Sequence, residues 1–257
     1  MDYLSWNDMI AARLFTSEMK NRRVYLYVTP DVIRGIGKVV NVGLPDFIAA
    51  IRKGPGWVSY GGICARAEQS LDGWRRHRPQ LHYPPYIAYL AFFVLAAGAG
   101  RGGEFAAHAY YPRLRKLLGE EPVAGTYAGF GEMRRLWDDL EQWTQRDRGG
   151  ELGIFEAHVS SCFVHVGIPI SQTILSEQER LALPAIFADG ALDPTAAPSE
   201  VLLSELLLRH GQSSLRAPTL RILEGRTKIV RKSRLRFEGA KAKGLILKLR
   251  DSIPTLR

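Results

Sequence analysis

Phe130-Gly131-Glu132-Met133-Arg134-Arg135-Leu136-Trp137-Asp138-Asp139-Leu140-Glu141-Gln142-Trp143-Thr144-Gln145 is the stretch on which the fold class turns. Phe130, Met133, Leu136, Trp137, Leu140 and Trp143 recur at three- and four-residue steps, the spacing of one face of an α-helix. Arg134 with Asp138, and Arg135 with Asp139, are spaced i,i+4 and are expected to pair as solvated ions on the opposite face. Two tryptophans on one stripe would be a large apolar patch in water, so the stripe is expected to fill a core.

Helix signals extend in both directions from this segment. Ser5-Trp6-Asn7-Asp8 resembles a capping box ahead of Met9, Ile10, Leu14 and Phe15, which predicts a first helix to about Met19. Val24 to Val28 is β-branched and aromatic and reads as a short strand, closed by Thr29-Pro30-Asp31 as the cap and first turn of another helix. Leu44-Pro45-Asp46-Phe47 opens a helix that Gly54 ends, and Tyr60 to His77 makes one stopped by Pro79. Pro84-Pro85 starts an apolar helix ended by Gly98, and Glu104 to Leu118 follows with Gly119 as its stop. Ile154 to Ile170 reads as one or two strands. Ser176-Glu177-Gln178-Glu179 is a second capping box for a helix reaching about Ala188, and Glu200 to His210 is a leucine-rich helix ended by Gly211. The expected fold class is mainly α with minor β: a multi-helix globular body, residues 1–211, with one or two short strand segments.

Charge sets the remainder apart. Residues 212–257 carry 13 Lys and Arg against 3 acids, so the preceding 211 residues sum to −1 within a total of +9. In this segment Ile229, Leu235, Phe237, Leu245, Leu247 and Leu249 stand at odd positions. Lys228, Lys232, Arg234, Arg236, Lys248 and Arg250 stand at even ones, with Lys241 and Lys243 in the connecting Gly239 to Lys243 turn. The pattern predicts a small basic β-ribbon with one apolar face, which must dock on the helical body, on a third strand such as Thr219 to Leu223, or on a partner. The chain stops seven residues after Arg250, so this part reads as an appendage or a truncated second domain.

Composition narrows the functional classes. Cys64 and Cys162 are far apart among small or apolar neighbours, which fits buried thiols and neither a disulfide framework nor a zinc site. The N-terminus has no basic segment followed by an apolar run, and the apolar stretch Tyr86 to Ala99 is shorter than the roughly 20 residues that cross a bilayer. A cytoplasmic protein with no membrane contact is expected. Arginine outnumbers lysine 26 to 9, which fits a G+C-rich genome as well as any ligand.

The sequence lacks a phosphate-loop, H-E-x-x-H, G-x-S-x-G or C-x-x-C pattern. Gly98-Ala99-Gly100-Arg101-Gly102-Gly103 matches G-x-G-x-x-G, but a dinucleotide site needs a strand directly before it, whereas the preceding residues read as helix. Glu18-Met19-Lys20 precedes Pro30-Asp31 and Pro45-Asp46, the reverse of the order in a metal-dependent nuclease. His158 and His165 flank Cys162, yet alternation along a single strand puts His165 on the other face. No cofactor or metal is therefore expected.

What remains is a comparison of classes. The leading expectation is a non-catalytic, bacterial-type scaffold or adaptor subunit of a larger assembly, contacting a protein partner through Lys228, Lys232, Arg234, Arg236, Lys241, Lys243, Lys248 and Arg250. The same residues suit DNA or RNA phosphates in an accessory protein of a DNA-acting or defence system. They also suit a solvated strand edge that discourages aggregation. An enzyme with an unfamiliar site is the remaining class.

Overall fold

The structure, a computed structural model, describes residues 1–58, 61–77, 81–98, 110–123, 125–160, 163–165, 175–192 and 200–223. These residues belong to two compact units, residues 1–97 with 110–165 and residues 175–192 with 200–223, and both are mainly helical.

The first unit is built around the helix α5 (Ile87–Ala97), which follows α1 (Tyr3–Leu14), α2 (Pro30–Gly37), α3 (Leu44–Lys53) and α4 (Ile63–His77). Every side chain from Ile87 to Ala96 is buried, because a helix apolar on all sides lowers its free energy only when surrounded. Helices α1, α3 and α6 (Tyr110–Leu118) pack on it. Asn7 ties α1 to the start of α5: its Nδ2 donates to Pro84 O at 3.0 Å, and its Oδ1 accepts from Ala88 N–H at 3.0 Å. One of the helix's unpartnered N-terminal donors is thereby satisfied from another element. Ser5, read from sequence as the start of a capping box, lies inside α1. The cap is Asp2, whose carboxylate accepts from Ser5 N–H at 2.8 Å, and the helix ends at Leu14 with a separate 3-10 turn at Ser17–Met19.

The caps expected at Thr29 and Gly54 are present. Thr29 Oγ1 accepts from Val32 N–H with Pro30 at the first helical position, and Gly54 ends α3 at φ +69°. The residues between α1 and α2 depart from expectation. Val24, Tyr25, Leu26 and Val28 are buried, yet the run forms no strand and makes a single parallel bridge, Arg23 to Ile154. Branched and aromatic side chains favour burial on a pleated surface, and here they are buried in the core although the backbone turns at Leu26, where Tyr27 N–H donates to Tyr25 O at 2.9 Å.

The segment quoted above runs as a 3-10 turn (Phe130–Met133), the helix α7 (Arg134–Gln142) and a π-helical turn (Trp143–Asp147). Met133, Leu136, Trp137, Leu140 and Trp143 are buried, with Trp143 edge-on to Phe15 at 5.3 Å and Trp137 stacked on Phe155 at 6.1 Å. Beyond it, β1 (His158–Ser160) and β2 (Phe163–His165) form an antiparallel hairpin.

The second unit comprises α8 (Glu177–Asp189), α9 (Glu200–His210) and α10 (Ala217–Leu223). Leu175, Leu183, Ile186, Leu206, Leu207, Leu215 and Leu223 share one core. The capping box at α8 is reciprocal: Ser176 Oγ accepts from Glu179 N–H and Glu179 Oε2 from Ser176 N–H. Residues Thr219 to Leu223, read from sequence as a candidate strand, lie in a helix. Leu215, Thr219 and Leu223, four residues apart, are all buried, so the period is helical. The predicted ribbon itself, residues 227–250, lies outside the described residues.

Candidate functional site

Three polar constellations are placed by the described residues. The first centres on Asp139, which the sequence assigned to the solvated face of α7. It is 2% exposed. Tyr86 Oη donates to its Oδ2 at 2.6 Å and Arg75 Nε to its Oδ1 at 3.2 Å. Arg135, its expected partner, reaches Glu68 at 3.4 Å and Asp72 at 3.5 Å on α4, while Arg134 keeps Asp138 at 3.4 Å. Asp139 lies three residues after Leu136 and four before Trp143, which puts it on the buried stripe. Its carboxylate engages donors at both oxygens, as a buried anion requires, and it fastens α7 to α4 and to Tyr86 just ahead of α5.

The second is a surface cleft of about 450 Å³ edged by Glu68, Arg115, Glu120 and Tyr127, with Gly62 and Gly129 among its small residues. Arg115 donates to the carbonyls of Val123, Gly125 and Thr126 at 3.0 to 3.2 Å and lies over the Tyr127 ring. Tyr127 Oη donates to Glu120 Oε1 at 2.9 Å, and burial, followed by this bond, raises its pKa. Buried Cys64 adjoins Gly129, where a Cβ would come within 3.3 Å of Cys64 Cβ. Burial, then the nearby charges of Glu68 and Glu120, pushes the thiol up to about 12, far from a nucleophile's range at neutral pH. These groups chiefly bond one another, and they hold the loop after α6 in place.

The third joins the parts of the second unit. Glu179, 1% exposed, accepts from Ser176 N–H at 2.7 Å, from Arg216 N–H at 2.7 Å and from Arg216 Nε at 3.0 Å. Burial pushes its carboxyl up, but the hydrogen bonds from Ser176 and Arg216 outweigh this and hold it below the ordinary value. Sequence reasoning found the capping box here but not the contact with Arg216, because a pairing 37 residues away leaves no local pattern.

Lys228, Lys232, Arg234, Arg236, Lys241, Lys243, Lys248 and Arg250 lie outside the described residues. What the structure places is the chain leading to them, through Arg216 and α10. The single-strand alternation that separated His158 from His165 does not hold, since the hairpin register pairs them directly; Cys162 lies outside the described residues. Among the described residues no group of three or more His, Cys, Asp or Glu is placed to hold a metal. The element before Gly98 is the helix α5, so the glycine-rich run lacks the strand that a dinucleotide fingerprint requires. Among the described residues no helix is long and apolar enough to cross a membrane. Comparison of the chain with protein-family models, with curated proteins and with solved structures gave no match.

Proposed function

We propose that this chain is a non-catalytic scaffold or adaptor subunit of a larger cytoplasmic assembly, a helical body held to its partner by the cationic segment 212–257. The observation that supports this reading is the segregation of charge. Within the segment, Arg216 is bound to Glu179 and belongs to the helical unit. Past Leu223, residues 224–257 still hold 11 Lys and Arg against 3 acids. So dense a cationic run repels itself and gains free energy from a polyanionic surface.

The test is recovery of partners from an extract of the native host, comparing the full chain with one ending at Leu223. The full chain is expected to enter a larger complex that dissolves at high salt and is missing for the shorter chain. A full chain that stays monomeric and recovers nothing contradicts the proposal. A second reading, an accessory protein bound to nucleic acid, draws on the same cations, and loss of the complex on nuclease treatment favours it.

A further inference from the structure

The cleft of the first unit lies apart from the cationic segment and involves none of its residues. Gly62, just ahead of α4, and Ala65 and Glu68 on it follow at three-residue steps and share one side, while the chain after α6 brings Glu120, Tyr127, Ala128 and Gly129 opposite them. Four small residues leave the space open, and its 450 Å³ falls within the about 300 to 1,000 Å³ of small-ligand sites. The unused side-chain capacity around it is for accepting hydrogen bonds. Arg115 directs three N–H groups to the carbonyls of Val123, Gly125 and Thr126, and Tyr127 gives its hydroxyl proton to Glu120 Oε1. Arg135 meets Glu68 at Oε1 alone, at 3.4 Å. Among the described residues, Oε2 of Glu68 and Oε2 of Glu120 take no donor, and Tyr127 Oη can still accept.

The field has the sign that suits a donor. Arg135 is shared between Glu68 and Asp72, so Glu68, Asp72 and Glu120 stand against Arg115 and Arg135. The start of α4 adds only about half a positive charge, which leaves the carboxylates in surplus. Two groups inside the site respond accordingly: after burial, Glu68 and Glu120 raise the Cys64 thiol, and Glu120 raises Tyr127 by more than Arg115 lowers it. We propose that the cleft binds a guanidinium group, carried by free arginine or by an arginine side chain of a partner. A guanidinium has five N–H donors in a planar fork and no acceptor, so it complements separated acceptors in one plane. It is also more weakly hydrated than an ammonium, which lowers the cost of resting on Gly62, Ala65, Ala128 and Gly129. A bare metal ion lacks its ligands here, since among the described residues no three His, Cys, Asp or Glu are placed to hold one.

Titration of the full-length protein, followed by backbone-amide chemical shifts, tests this with N-acetyl-arginine methylamide, the matching lysine and citrulline compounds, and free arginine. The blocked arginine is expected to shift Gly62 and Gly129 with a Kd on the order of 1 mM. Blocked citrulline, which keeps the shape without the charge, is expected to leave them in place. E68Q and E120Q are each expected to weaken binding about fivefold. Gly62→Leu fills the cleft while keeping both carboxylates. Its backbone is outside the left-handed region, so this variant is expected to melt with the unaltered protein and to bind no probe. Glu120 is exposed, so E120Q tests the site even where Gly62→Leu disturbs the fold. Full binding by Gly62→Leu, or no shift at Gly62 and Gly129 with any probe, overturns the site. Citrulline or lysine bound as tightly as arginine overturns the guanidinium assignment. Free arginine bound more tightly than the blocked form assigns the site to a small molecule, and the reverse order assigns it to a polypeptide side chain.

Discussion

Glu179 and Arg216, 37 residues apart in sequence, are joined by two hydrogen bonds, from the arginine's backbone N–H at 2.7 Å and from its Nε at 3.0 Å. The pair closes the second unit: it clamps the start of α8 to the residue before α10, with Glu179 nearly inaccessible and Arg216 partly exposed.

Replacing Glu179 with Gln turns an amide toward donors that need an acceptor, and should cost the second unit about 2 kcal/mol. The exposed side of Arg216 keeps the loss below that of a fully buried pair. Because the folded carboxyl lies below its ordinary value, the stabilisation is present at neutral pH and is lost as pH falls through the folded pKa. Acid unfolding followed by circular dichroism should therefore show a weaker dependence on pH below about 4.5 in the variant.

Tyr86→Phe removes the 2.6 Å bond to buried Asp139. A hydrogen bond to a charged group contributes about 1.5 to 3 kcal/mol, so chemical denaturation should show a loss of that order, with Asp139→Ala costing more.

Gly153 sits at φ +102°, and a Cβ there would overlap Val24 Cγ2 and approach Met19 Cβ at 3.1 Å. Gly153→Ala should lower stability by about 2 kcal/mol or more, through strained backbone and displacement of Val24 from the core. A thermal melt with unchanged midpoint would mean that the Arg23 to Ile154 crossing is looser than described.

Cys64 should resist alkylation in the folded protein. With its thiol at about 12, the thiolate fraction at pH 8 is on the order of 10⁻⁴, and labelling of a Cys162→Ser protein should be slow until denaturant is added. Rapid labelling under native conditions would contradict the burial of Cys64.

Much of this fold was legible from local chemistry. The caps at Thr29, Gly54 and Ser176, the buried α5 and the tryptophan stripe of α7 follow from residues within one or two turns of each other. The exceptions have two causes: distant partners decided Val24 to Val28 and Asp139, whereas a nearby residue decided Thr219 to Leu223. Asp139 reads as solvated beside Arg135, although the α7 stripe that placed Trp143 inside also contained position 139. Val24 to Val28 has strand composition, but pairing requires a second strand, and Ile154 supplies one bridge only. Thr219 to Leu223 looks alternating until Leu215 is added, when the four-residue period appears. Of the candidate site, the charge run was visible at once, and its attachment through Glu179 and Arg216 was not.

The proposed function requires that the cationic run after Leu223 be separable from the helices that precede it. Ending the chain after Leu223 and comparing it with the full chain, by thermal unfolding and by retention on an immobilised polyanion, tests this directly. The shorter protein should unfold within a few degrees of the full chain and lose its salt-sensitive retention. A shorter protein that fails to fold, or one retained as strongly as before, would show that the cations are built into the body and serve no separate docking role.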